Sequence, residues 1–189
     1  MARFLMVIMS VILMGCAGGT PIKDFSNRSV VYGFLDIGDV SGNRLVGISL
    51  RNTRTGVEEQ YYDFGWEKVD GGFVVWHNGL LPGQYEFNKI STMSCLSVLC
   101  SNTINEYNFG AFGTAPGKVT VSNPGVYTFG KWKLITTKKT GFFRAGEFDV
   151  RRTNGGPSKA QMLSILAQNA PAEFPVVGQR IQRAMGRWR

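Results

Sequence analysis

Histidine is nearly absent from this 189-residue chain, with His77 the single copy. General acid/base work near neutral pH most often uses histidine, as do dyads that activate a nucleophile, so one copy leaves little room for either. His77 sits in Val75-Trp76-His77-Asn78-Gly79, at the end of an apolar strand before a turn, and reads as a strand-end or surface residue. Charge is scarce too, at 18% Asp, Glu, Lys and Arg. Gly110–Gly117 lacks the lysine of a phosphate loop, and the stretch Asp36–Asn43 lacks the closing glutamate of a calcium loop. Two carboxylate pairs remain, Asp36 with Asp39 and Glu58 with Glu59. Neighbours on a strand point to opposite faces, so Glu58 and Glu59 do not converge. These residues predict no enzyme, no metal site and no cofactor.

No apolar run reaches the about 20 residues that cross a bilayer as a helix. The longest N-terminal one, Phe4–Leu13, is broken by Ser10 and preceded by Arg3, the layout of an export signal over residues 1–15. Its end, Leu13-Met14-Gly15-Cys16, resembles the lipobox of bacterial lipoproteins. That resemblance implies cleavage before Cys16 and acylation of its thiol and amine, which anchors the chain in membrane lipid. Ala17 is not the aspartate associated with inner-membrane retention, so the outer membrane is the expected address. An ordinary secretory signal containing a cysteine is the alternative. Residues 16–29, with Gly18, Gly19, Pro21 and Asn27, read as a flexible tether.

Only two further cysteines exist, Cys95 and Cys100. In an oxidising envelope a local disulfide is the expectation. The rival, a metal pair, has no ligand cluster around it. Such a bridge would pin a loop.

What the chain does have is 12% aromatic residues and 24 glycines, a strand-and-turn composition. Short apolar runs separated by turn residues start at Val30. Val30–Ile37, Arg44–Arg51, Glu58–Phe64, Gly72–Trp76, Gln84–Ile90, Ile104–Phe109, Val119–Val121, Val126–Thr136 and Gly141–Val150 read as strands. In Arg44–Arg51 the alternation sets Val46, Ile48 and Leu50 opposite Leu45, Gly47, Ser49 and Arg51. A loop is expected through Lys68-Val69-Asp70-Gly71. After Thr153-Asn154-Gly155-Gly156-Pro157 the period becomes helical, with Ser158 as N-cap of Lys159–Ala170, Pro171 as a stop, and a second helix over Phe174–Trp188. The expected architecture is mainly β: an antiparallel β-sandwich over residues 30–152 and a two-helix C-terminal extension over 153–189.

Several segments match a family in order. They are Gly33-Phe34-Leu35, Leu45-Val46-Gly47-Ile48-Ser49-Leu50, Asp70-Gly71-Gly72-Phe73-Val74-Val75 and Leu80-Leu81-Pro82-Gly83-Gln84-Tyr85-Glu86-Phe87. Together they resemble the transthyretin-like, carboxypeptidase-regulatory kind of β-sandwich (transthyretin/Ig-like), over roughly Tyr32–Phe87. A second P-G-x-Y unit, Pro124-Gly125-Val126-Tyr127, looks like a segment of bacterial envelope lipoproteins of similar build. The resemblance implies a domain that binds or spaces and carries no catalytic residues. In the first unit Pro82 presets the turn, and Tyr85 is expected to bury its ring while its hydroxyl reaches a partner or water.

Charge is distributed unevenly. Cys16–Pro116 holds 7 Lys/Arg against 10 Asp/Glu, whereas Gly117–Arg189 holds 13 against 3. Lys131 and Lys133 share a strand face, and Arg180, Arg183 and Arg187 share a helical face, with Arg189 beyond them. These six are the expected contacts for an anionic partner: an envelope protein, lipopolysaccharide phosphates or peptidoglycan carboxylates. Export removes the chain from nucleic acid. A merely solvated basic face is the alternative for the charge. For the function, the alternative is a small-ligand or glycan site built on exposed Trp66, Trp76 or Trp132.

Overall fold

Strand β1 (Ser29–Asp39) is apolar on both of its faces, so it must be covered from two sides. Val31, Leu35 and Ile37 enter one core; Val30, Tyr32 and Phe34 enter another. The computed structural model describes residues 24–40, 42–59, 64–96, 99–110, 115–138, 147–172 and 174–187. The expected leader at 1–15 and Cys16 lie outside these.

β1 is the middle strand of a five-stranded sheet. Its neighbours are β5 (Gly72–Leu80), then β4 (Phe64–Val69), on one side, and β9 (Val126–Lys138), then β10 (Glu147–Arg152), on the other. The second sheet runs β3 (Glu58–Glu59), β2 (Arg44–Asn52), β6 (Gly83–Leu96), β7 (Leu99–Asn108), and β8 (Val119–Val121) pairs with the start of β6. Among the described residues all pairings are antiparallel except β1 with β9, which is parallel. The fold is thus the expected mainly-β sandwich, with one parallel pairing at its centre. Leu35, Val75 and Leu134 of the first sheet face Leu50, Phe87 and Ile90 of the second.

Helices α1 (Lys159–Gln168) and α2 (Pro175–Gly186) cover the outer face of the first sheet, where Leu163, Leu166, Val177 and Ile181 pack on Tyr32, Phe34, Val74 and Trp76. Each such side chain contributes about 1.5–3 kcal/mol. Ser158 caps α1: its hydroxyl accepts from Gln161 N, and the Gln161 side chain accepts from Ser158 N. Residues 24–29, assigned to the tether by composition, are seated on the domain. Phe25 is buried against Phe174, ring centroids 4.3 Å apart, and Ser29 is buried in β1. A phenylalanine in that polar stretch was the sign of docking.

The two P-G-x-Y units form equivalent corners. The Tyr85 hydroxyl donates to the Leu81 carbonyl at 2.9 Å, and the Tyr127 hydroxyl donates to the Asn123 carbonyl at 2.8 Å, in each case four residues back. The Cys95–Cys100 disulfide is present and joins residues directly opposite in the β6–β7 ladder, so it staples a hairpin. The segment expected as a loop around the cysteines is the continuation of two long strands.

Other differences have local causes. Glu58–Phe64 is not one strand, since β3 belongs to the second sheet and β4, starting at Phe64, to the first. Lys68 and Val69 are the last residues of β4, and Asp70-Gly71 alone makes the turn, with Gly71 at φ 77°. In β2, Leu45 pairs with Thr92 but Gly47 with Ser91, so Val46 is an extra residue. That bulge reverses the alternation and puts Leu45 in the same core as Ile48 and Leu50. Asn88 does the same in β6, between Phe87 and Ile90.

One ion pair is buried in this frame. Arg51 Nε donates to Glu86 Oε1 at 2.8 Å, with Glu86 fully shielded, and Arg51 Nη2 donates to the Phe109 and Gly110 carbonyls. Removing one partner of such a pair strands the other charge. Arg51→Met is therefore expected to lower unfolding free energy by about 3 kcal/mol or more, read from urea titration. Gly33 lies under the bulged Phe129, where an added Cβ would overlap that ring and the Gly130 carbonyl. Gly33→Ala is expected to cost about 1–3 kcal/mol by overpacking, seen as a lowered urea midpoint with unchanged slope.

Candidate anion-binding site

The six cations expected to act together are separated. Lys131 Nζ donates to the Asn154 and Gly155 carbonyls at 3.4 and 3.0 Å, tying β9 to the loop before α1. Lys133 Nζ lies 2.9 Å from Asp39 and 3.7 Å from Asp36, and those carboxylates, led by the Asp39 hydrogen bond, raise its pKa above the ordinary lysine value. Parallel pairing of β1 with β9 sets Asp36 opposite Lys133, a register no local pattern reveals. Asp36 and Asp39 converge, but on an ammonium. Arg189 lies outside the described residues.

Arg180 has a structural role. Its guanidinium donates to the carbonyls of Phe25, Ser26 and Arg28, clamping the docked N-terminal segment to α2. Burial, and then the like charge of Arg183, lowers its pKa from the ordinary arginine value.

Arg183 and Arg187 remain at the exposed C-terminal end of α2, and the fold adds two cations that spacing did not reveal. Lys118, just before β8, and Lys159, the first residue of α1, line the same cleft as Arg180, Arg183 and Arg187. Burial lowers the Lys159 pKa. The cleft lies between the helices and the β8–β9 segment, has a volume of about 610 Å³, and is lined by no aspartate or glutamate among the described residues. The only sign of Lys118 and Lys159 in the sequence was their place in the basic half of the chain.

Tyr32 lines the cleft from β1. The residue is 1% exposed, and its hydroxyl has no hydrogen-bond partner among the described residues. Burial pushes its pKa up to about 12, so it stays a protonated donor at any physiological pH. A buried hydroxyl left unpaired costs about 1–3 kcal/mol.

A larger concavity, about 1160 Å³, opens beside the disulfide and the turns at Gly38 and Gly71. Its charges, Asp36, Asp70 and Lys68, are of mixed sign, so it makes no directed field. The tryptophans expected as exposed platforms are not exposed. Trp76 and Trp132 are buried, the latter donating to the Phe129 carbonyl at 2.7 Å, and Trp66 packs half-buried against the core. No group of three His, Cys, Asp or Glu that could hold a metal occurs among the described residues, and no helix there is long and apolar enough to cross a membrane.

His77 is fully buried rather than at the surface. Its Nδ1 accepts from Gly79 N at 3.0 Å, the Phe64 ring meets it edge-on at 4.8 Å, and Arg28 donates to the adjoining Gly79 carbonyl. Burial, helped by the Arg28 charge, pushes its pKa down to about 3. The unfolded chain binds this proton near pH 6.5 and the folded chain does not until about 3. Protonation therefore favours unfolding: stability present above pH 6.5 is lost as pH falls, by at most about 1.4 kcal/mol per unit. His77→Gln should flatten urea stability against pH between about 6 and 4 by one proton relative to the parent.

No family model matches the chain, and no curated protein matches it either. A leucine-rich repeat protein from Bacteroides thetaiotaomicron is a structural neighbour at 16% identity and a TM-score of 0.38; the similarity covers 57% of this chain and 14% of that one, too distant to bear on function.

Proposed function

We propose that this chain is a non-enzymatic, lipid-anchored envelope protein, a binding or assembly module that meets an anionic envelope component or partner protein through its basic C-terminal region. The observation that carries this reading is the cleft: cations from the β8 side and from both helices line it together, with no carboxylate among its described lining residues. A field of one sign held by two walls attracts polyanions more strongly than scattered surface charge does. The reading narrows the contact set from the six cations expected at first to Arg183 and Arg187 with Lys118 and Lys159.

The address rests on Leu13-Met14-Gly15-Cys16, with acylated Cys16 in the outer membrane, and the Cys95–Cys100 disulfide fits an oxidising compartment. The two tyrosine corners support a sandwich of the transthyretin-like, carboxypeptidase-regulatory kind. The sealed environment of His77 and the engagement of Asp36 and Asp39 by Lys133 support a role without catalysis.

Crosslinking in intact cells followed by mass spectrometry should give one stoichiometric partner. Its recovery from solubilised envelopes should fall at high salt and in the Arg183→Ala/Arg187→Ala double variant. Salt-insensitive recovery of the protein alone would overturn the reading. Labelling with a radioactive fatty acid should mark the parent chain and not Cys16→Ser.

A further inference from the structure

The ring of Tyr32 belongs to the layer under the helices, where Phe34 fills a neighbouring place with no hydroxyl at all. Tyr32 lines the cleft, and its buried hydroxyl has no acceptor of its own among the described residues. In the same cleft, Arg183 and Arg187 stand one helical turn apart, a spacing at which like charges repel. A bound anion would remove that repulsion and supply the missing acceptor together.

We infer that this cleft is a binding site for phosphate groups. Arg183 and Arg187 offer guanidinium forks from the end of α2, Lys118 offers a point charge from just before β8 and Lys159 another from α1, and the Tyr32 hydroxyl donates to a phosphate oxygen. Phosphate fits better than carboxylate because its oxygens spread tetrahedrally. It reaches donors on both walls and on the floor, whereas a planar carboxylate with two oxygens meets one fork. The volume of about 610 Å³ admits more than one phosphoryl group.

This inference rests on the proposed anionic-partner function and names its ligand chemistry. Arg180 lines the cleft and also clamps the segment from Phe25 to Arg28. Eight chain steps separate Cys16 from Asp24, a reach of at most about 28 Å. An anchor at Cys16 would therefore hold the segment that Arg180 clamps within that reach of the membrane surface and its headgroup phosphates.

The test is calorimetric titration of pyrophosphate into the full chain in neutral detergent at constant ionic strength, with malonate as the carboxylate control. Saturable binding at least tenfold tighter than malonate is expected. Arg183→Ala/Arg187→Ala should weaken it tenfold or more. Tyr32→Phe should weaken it several-fold while leaving the melting temperature of the unliganded chain unchanged or higher, since it deletes a buried unpaired hydroxyl. Pyrophosphate bound no better than malonate, or equally by Tyr32→Phe, would overturn the inference. If partner recovery still depended on Arg183 and Arg187, the broader function would stand without it. The source is decided by repeating the titration with chain reconstituted in phosphatidylcholine vesicles carrying phosphatidic acid, or oleate to the same surface charge. A several-fold loss of pyrophosphate affinity in the phosphatidic acid vesicles alone assigns the site to headgroups; equal affinity in both overturns that source and assigns a soluble phosphate compound.

Discussion

The constraint on which this structure depends is that β1 has no polar face. A strand apolar on both sides cannot sit at a sheet surface exposed to water, so layers must form above and below it. On one side the second sheet closes over Val31, Leu35 and Ile37. On the other, nothing in the sandwich is available, and the two C-terminal helices supply the cover over Val30, Tyr32 and Phe34. The helices are thus a third layer of the same body. The cleft exists because of that layering: Tyr32 comes from the strand, Lys118 from the sheet side and Arg183 from the helix laid across it.

The arrangement of charge follows from the same layering. The basic half of the chain does not present one basic face. Lys131 braces a loop, Lys133 neutralises two carboxylates, Arg180 holds backbone carbonyls, and Arg152 lies over the Trp132 ring at 5.2 Å. These contacts use positive charge as internal support, each against a group contributed by a distant stretch of chain. The field that remains is smaller than the net charge suggests and better directed.

Much of this was legible in the sequence where the signal is local. Turn chemistry at Pro82-Gly83 marked the Tyr85 corner and the repeated P-G-x-Y pattern pointed to its counterpart at Tyr127, Ser158 marked the start of α1, and the three- and four-residue spacing put Arg183 and Arg187 on one face. What was not legible depends on pairing across the chain. The bulges at Val46 and Asn88 invert an alternation that looks regular in one dimension. The partners of Lys133 follow from a parallel register between strands almost a hundred residues apart. His77 reads as a surface residue because a strand end next to Asn78-Gly79 resembles a turn, yet Phe64, its partner across the β4–β5 hairpin, and Arg28, from the segment before β1, close over it. Lys118 and Lys159 belong to no shared periodic pattern, so only the packing of α1 against the sheet brings them to one cleft.

The Arg180 clamp also has a mechanical side. A pull on the chain from its N-terminal end reaches the domain at Phe25 and is met first by the Phe25–Phe174 stack and by the three carbonyls that Arg180 holds. The load then runs into α2 before it can peel β1 from its neighbours. Any tension applied through the N-terminal segment and the posture of the helix carrying Arg183 and Arg187 are therefore mechanically linked, because both pass through Arg180.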